Sequence, residues 1–284
     1  MAATRGEKRL TWATLVRDFG VYAVLIAGFV FTLVPFIYVF LASFKTEAEL
    51  LRIPPTFFPE HPTLKHYITI LTDPTLPLER VLWNSAVVAL ARTAAVLFTS
   101  TVAGYIFAKF EFRGKSLAFW LIFAQIMIPF QVILIPLYLI TDRLGLLDTL
   151  WALIIPMMVD AYGVFMMKQF IEGIPGEIME AARIDGASEW RIFLQIVLPL
   201  LGPPMASLGI FTFMFAWNDY LWPLIAITSP EKRTVPLLLV WYTTQHASNQ
   251  GLVLAASMLV LLPIFAVYIL AQRWIIEQAT QSYK

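Results

Sequence analysis

From Gly20 to Ser43 the chain runs for 24 residues without a single Asp, Glu, Lys or Arg. Wound as a helix at 1.5 Å per residue, such a run outreaches the ~30 Å hydrocarbon core of a bilayer. No ordinary soluble domain buries a helix of that length on every side. Five further runs follow: 81–108, interrupted only by Arg92; 116–141; 149–167, interrupted by Asp160; 203–229, with Asp219 inside it; and 251–272. In lipid each backbone N–H and C=O must be satisfied within the protein, which favours helices over open sheets. The expectation is an all-α membrane protein with six transmembrane helices in a single domain covering 1–284. Composition agrees. The chain is 59% hydrophobic and 14% charged, against roughly 45–50% and about 25% in soluble domains.

The distribution of Lys and Arg orients these spans. With the N-terminus inside, the cytoplasmic segments 1–19, 109–115, 168–202 and 273–284 hold twelve basic residues and the outer segments seven. The short loop "KFEFRGK" is the clearest single indication. Both termini are therefore expected in the cytoplasm, and the first run is read as an uncleaved helix. Its apolar stretch exceeds the ~7–15 residues of a signal-peptide core, and no A-x-A site follows it.

Several chemistries are excluded. Net charge is +1 and cysteine is absent, so a nucleic-acid partner, disulfides, thiolate metal sites and cysteine nucleophiles are not expected. His61, His66 and His246 lie in polar segments without the spacing of a metal helix. No G-x-x-x-x-G-K-[ST] loop occurs, so the chain has no phosphate loop of its own. Prolines at 35, 129, 136, 156, 223 and 263 read as kinks of a helix bundle or as hinges along a pathway.

The outer loop Lys45–Arg80 is proline-rich and is expected to pack as an extended cap. The loop Ser229–Gln250, ending "WYTTQHASNQ", reads either as a partner- or ligand-touching segment or as a solvated connector with an interfacial Trp241–Tyr242 anchor.

One polar block stands out, at about 175–200 on the basic, cytoplasmic side. Pro175–Gly176 opens it as a turn. Glu177 to Ile184 is good helix sequence, Gly186 stops it, and Ser188 is placed to cap a second helix. Ile192, Phe193, Ile196, Val197 and Leu200 then form one apolar face. Ala181, Ala182, Gly186 and Ala187 are small enough for another backbone to come close, while Glu180 and Asp185 offer acceptors. From Lys168 to Arg191 the chain carries five acids, Glu172, Glu177, Glu180, Asp185 and Glu189, against Lys168, Arg183 and Arg191. Helices that lie on lipid are usually basic on their polar face, so a protein partner fits better than head groups.

The stretch "EAARIDGASEWRIFLQIVLPLLGP" resembles the EAA motif of ABC-importer permeases. "FAWNDYLWPLIAIT" and "AQRW" are similar to segments of the carbohydrate-type members related to the maltose and glycerol-phosphate importers, and the similarity extends over essentially the whole chain. The resemblance implies the fold of a type I ABC importer permease with a cytoplasmic coupling helix. Glu180, Ala181, Ala182, Asp185, Gly186 and Ala187 would then form the surface that docks on an ATPase. It also implies the partners: a second permease subunit, a cytoplasmic ABC ATPase dimer that binds ATP and Mg, and an extracytoplasmic solute-binding protein. The chain itself would be non-catalytic and hold no cofactor, and it would reside in a bacterial-type cell membrane.

Charges at membrane depth are costly and mark functional positions. Arg92 and Asp160 each lie about eleven residues into their runs and are of opposite sign, so an ion pair between the second and fourth spans is expected; lining a wet path is the alternative. Asn218 and Asp219, with Trp217 and Tyr220, are candidates for the solute pathway, since amides and carboxylates bond sugar hydroxyls and aromatic faces cover sugar rings. An outer aromatic belt is the competing reading of the same residues. The leading function is translocation of a sugar, oligosaccharide or glycerol phosphate derivative by ATP-driven alternating access. The alternative is an ion-coupled transporter or channel that uses the intramembrane charges.

Overall fold

The computed structural model describes residues 12–245 and 249–281, with side chains described over 18–245 and 249–269. The basic flank up to Thr11, His246 and the last three residues, which entered the orientation and loop readings, lie outside the described residues. Helices dominate, and among the described residues there is no strand.

The chain begins with α1 (Trp12–Ala42), then two short helices, α2 (Glu47–Leu50) and α3 (Lys65–Leu71). The central element is α4 (Leu78–Lys109), an unbroken 32-residue helix. Pro77 precedes its first turn, and Glu79 and Lys109 place opposite charges at its two ends in the sense the helix dipole favours. Next come α5 (Lys115–Ala124) and α6 (Phe130–Arg143), then α7 (Leu150–Ile154), α8 (Ala161–Glu172) and α9 (Gly176–Ile184). After α10 (Glu189–Ile192), a π-helical turn at Phe193–Val197 leads into α11 (Leu198–Leu200). The chain ends with α12 (Gly202–Trp217), α13 (Leu221–Ala226), α14 (Val235–Gln245) and α15 (Gln250–Gln281).

Among the described residues, three helical stretches, 18–42, 78–109 and 250–269, are each long and apolar enough to cross a membrane alone. Three bent pairs raise the number to as many as six. The pairs bend by 107° at the α5–α6 junction, 44° at α7–α8 and 77° between Glu189–Leu200 and Gly202–Trp217. The run expected at 116–141 is therefore two helices. Pro129 lacks an N–H and forces Ile128 out of the helical region, to φ −90° and ψ 114°.

α4 packs along α8 and α12. Two glycines allow the close approach to α8. A Cβ on Gly104 would meet the Met167 side chain at 2.7 Å and the Lys168 backbone at 2.9 Å, and one on Gly163 would run into Ser100 Oγ. α4 contributes to four apolar clusters, two of them large. At its N-terminal end Val81 and Ala89 pack with Leu238, Tyr242 and Ala255. At its C-terminal end Val96 and Tyr105 pack with Met167, Met179, Phe193 and Leu208. By contrast, the apolar window of α1 has no buried residue, so most of that helix is left for lipid or another chain, while its C-terminal end, with Ala42 buried, packs toward α15.

The proline-rich segment between α1 and α4 is less extended than its composition suggests. Lys45 and Glu49 are buried in it and share Thr56: Lys45 Nζ donates to Thr56 Oγ1 (3.0 Å) and to its carbonyl, and Thr56 Oγ1 donates to Glu49 Oε1 (3.0 Å). Glu47 accepts from Gln250 N (3.0 Å) and Gly251 N (3.2 Å) and so caps α15. The connector reading of Ser229–Gln250 is corrected, because residues 235–245 form α14. Its Val235, Leu238 and Tyr242 are buried in the core, so Tyr242 is not an interfacial anchor.

Candidate functional site

Three breaks in the helices meet at one cavity of about 960 Å³. Gln125 comes from the α5–α6 break, Asp160 from the α7–α8 break, and Asn218, Asp219 and Tyr220 from the α12–α13 break. Non-helical backbone at membrane depth survives only where protein or a wet cavity satisfies it. Two of the breaks carry a side-chain cap. The Asp160 carboxylate accepts from Tyr162 N (3.2 Å) at the start of α8. Asn218 Nδ2 donates to Met214 O (2.8 Å) at the end of α12.

Arg92, on α4, also lines this cavity, and its Nη1 donates to Asp219 Oδ2 at 3.1 Å. The expected Arg92–Asp160 pair is therefore corrected. Asp160 is engaged as a helix cap, and Asp219 sits in a turn that turns its carboxylate to α4. Equal depth along two spans did not select the partner, because the breaks change where each side chain points.

Of the four aromatic and polar residues expected on the pathway, Asn218, Asp219 and Tyr220 line the cavity. Trp217 does not. It is buried in the core and stacks on Phe213 at 5.7 Å. Leu208, Phe211, Thr212 and Phe215 of α12 complete that wall and were missed. Their spacing was a usable signal, since 208, 211, 212, 215 and 219 fall on one face of a helix.

The wall is braced from the α6–α7 turn by Asp148, also missed. Its φ of 54° is a left-handed conformation that Asp tolerates better than most residues. Its carboxylate accepts from Thr228 N (3.0 Å), Ser229 N (2.9 Å) and Ser229 Oγ, and from Lys232 Nζ (3.2 Å). Burial alone raises this carboxyl's pKa, but the bonds from Ser229, Thr228 and Lys232 outweigh it and hold it well below the usual carboxylate range.

The second site is the polar block. α9 ends in a Schellman arrangement: Gly186 N donates to Arg183 O and Ala187 N to Ala182 O, both at 3.0 Å. Gly186 has φ +81° and nothing within 4 Å of where a Cβ would stand, so backbone conformation alone demands glycine there. Ser188 Oγ accepts from Arg191 N at 3.4 Å and caps α10. Met179 is the buried anchor of α9, and Ala182 and Ala187 pack against the same core. Glu180, Ala181, Asp185 and Gly186 are exposed. Between them stands Ile184, 86% exposed. It was not among the expected docking residues, although an isoleucine between Arg183 and Asp185 on a solvent-facing turn was a visible signal. Arg183 grips Glu189 with Nε to Oε1 at 2.7 Å and Nη2 to Oε2 at 3.3 Å, closing the block on itself.

Residues 100–276 match the family model described as "Binding-protein-dependent transport system inner membrane component". The chain is 35% identical to the arabinooligosaccharides transport system permease protein AraQ of Halalkalibacterium halodurans, over 87% of this chain and 88% of that one. It is 31% identical to the sn-glycerol-3-phosphate transport system permease protein UgpE of Brucella abortus, over 93% and 96%. It is 30% identical to the lactose transport system permease protein LacG of Rhizobium radiobacter, over 93% and 95%. A bacterial ABC transporter involved in the import of the acidic polysaccharide alginate shares the fold, with a TM-score of 0.79 at 23% identity, over 94% of this chain and 99% of that one. By the family match and by relatives aligned almost end to end, the chain belongs to the binding-protein-dependent transport system inner membrane components, the permease subunits of ABC importers.

Proposed function

We propose that the chain spans the membrane six times, with both termini in the cytoplasm, and works by alternating access. In this reading the bent pairs α5–α6 and α7–α8 each count as one span, α12 with α13 forms the fifth, and the basic flanks support the orientation. The solute is of carbohydrate type, a sugar, oligosaccharide or glycerol phosphate derivative, as the names of the arabinooligosaccharide, glycerol-phosphate and lactose relatives suggest. It passes the 960 Å³ cavity, where Asn218, Asp219 and Tyr220 offer an amide, a carboxylate and an aromatic face.

The partners are a second permease subunit, an ABC ATPase dimer that binds and hydrolyses ATP with Mg, and an external solute-binding protein. The observation that carries this reading is the build of the polar block. α9 is anchored from beneath by Met179 and ended by a Schellman turn at Gly186, and it presents Glu180, Ala181, Ile184 and Asp185 outward. A surface that is small, acidic and partly apolar fits a protein cleft rather than lipid.

Co-expression with the ATPase and purification through the permease tests it. The ATPase is expected to co-purify with the native chain and to be lost with Gly186→Pro, because proline cannot adopt φ +81°. Retention of the ATPase by that variant would overturn the docking assignment. Uptake of a panel of oligosaccharides by the reconstituted complex tests the solute class.

A further inference from the structure

By chain order, the coupling block should hand its motion directly to α12, which follows it. The backbone between the two is poorly suited to that. It passes the left-handed turn at Gly186, the π-helical turn Phe193–Val197 and the 77° bend at Leu201. Such interruptions are where helices give.

A stiffer route exists through α4. Tyr105 and Lys109 are one helical turn apart and share a face of that helix. Tyr105 Oη donates to Glu189 Oε2 at 3.0 Å, and Glu189 in turn holds Arg183 in the last turn of α9. Lys109 Nζ donates to Ile174 O at 2.7 Å, just before Pro175 opens α9. Both ends of α9 are thus fastened to one helix. The Tyr105 ring is itself fixed, buried between Phe110 (5.4 Å) and Phe193 (5.2 Å). α4 then runs without a break to Arg92, ~20 Å away along the helix, where the pair with Asp219 lies at the cavity wall.

We propose that Tyr105 and Lys109 are positioning residues that fasten the coupling block to α4, so that α4 carries the block's displacement to the Arg92–Asp219 pair. The proposal rests on the reading that the block docks an ATPase. That reading is scored first, by co-purification of the ATPase with the native chain; absence of the ATPase would sink the reading and the proposal with it.

With the ATPase held, a single cysteine is introduced at the cavity as Tyr162→Cys, since the chain has none of its own. Its reaction with a thiol reagent is compared without nucleotide and with ATP plus vanadate, in complexes whose partners are cysteine-free. The rate is expected to change at least several-fold with nucleotide in the native background. In the Tyr105→Phe, Lys109→Met double variant the ATPase is expected still to co-purify while the nucleotide response is lost. Lys109→Arg, with Tyr105 kept, is expected to restore it.

A double variant that keeps both the ATPase and the full nucleotide response overturns the proposal. A second measurement covers a double variant that fails to assemble. Tyr105→Cys and Glu189→Cys, with Tyr162 kept and bridged by a short bis-methanethiosulfonate reagent, are expected to leave ATP hydrolysis by the complex running, because the tie does not open during the cycle. An assembled, bridged complex that no longer hydrolyses ATP overturns it equally.

Discussion

The guanidinium of Arg92 on α4 and the carboxylate of Asp219 between α12 and α13 meet at 3.1 Å on the wall of the cavity. Both side chains are mostly buried, at 18% and 22% exposure. A buried pair broken on one side leaves an uncompensated charge, which costs more than the pair contributes. Arg92→Ala is therefore expected to lower stability by about 3–5 kcal/mol and to lose transport. The exchange of both, Arg92→Asp with Asp219→Arg, is expected to recover assembly in part. Arg92→Asp with Asp160→Arg is expected to recover nothing. Yield of assembled complex and thermal unfolding midpoints check the three, and recovery by the Asp160 exchange would be the contrary result.

Gly186 separates two demands on one residue. Its φ of +81° excludes most side chains, but the space around it within this chain is open. Gly186→Asn is expected to fold with a cost of about 1 kcal/mol, since Asn visits this region more readily than other residues. If the ATPase backbone comes close at this point, the same variant is expected to bind it at least tenfold more weakly. A titration of detergent-solubilised permease with the ATPase reads the affinity, and a melting curve reads the fold.

The α4–α8 contact is set by two glycines with different neighbours. Gly163→Ala drives a methyl into Ser100 Oγ, a side-chain obstacle. Overpacking of this kind costs about 1–3 kcal/mol, and Ser100→Gly is expected to return much of it. Gly104→Ala meets the backbone of Lys168 at 2.9 Å as well as Met167. Truncating Met167 is expected to rescue that variant poorly. Thermal stability of the two single variants and their paired rescues measures the difference.

The Asp148 brace has a defined pH signature. Its carboxyl is held below the ordinary range, so the stabilisation is complete above the unfolded value of about 3.9 and is lost as pH falls through the native value. Asp148→Asn is expected to be less stable than the native chain by about 1–2 kcal/mol at neutral pH, through loss of charge-assisted bonds. The gap is expected to close as pH drops below about 4. Unfolding midpoints measured across pH 3–8 test this, and a gap that stays constant to the acid end would count against the assignment.

How much of this was readable beforehand divides by the range of the cause. The caps of the polar block were legible because they depend on nearest neighbours: a glycine that can turn left-handed, a serine two residues on, small residues between. The bend at Pro129 had its cause in view as well, though not its angle, because the angle depends on what α5 and α6 pack against. The burial of Tyr242 was hidden because α14 owes its place to residues such as Val81 and Ala89, which lie far from it in the chain.

The amino-acid sequence by itself determined that the protein lives in a membrane, which segments are apolar enough to enter it, and where the one polar block begins and ends. Those properties follow from transfer free energy and local backbone preference, summed along a stretch. Only the tertiary structure decided that Arg92 meets Asp219 rather than Asp160, that Trp217 turns into the core, and that three helix breaks share one cavity. Depth along a span can be counted from the chain. The direction in which a side chain points about its helix axis cannot, because it is set by how helices such as α4 and α8 lock at Gly104 and Gly163.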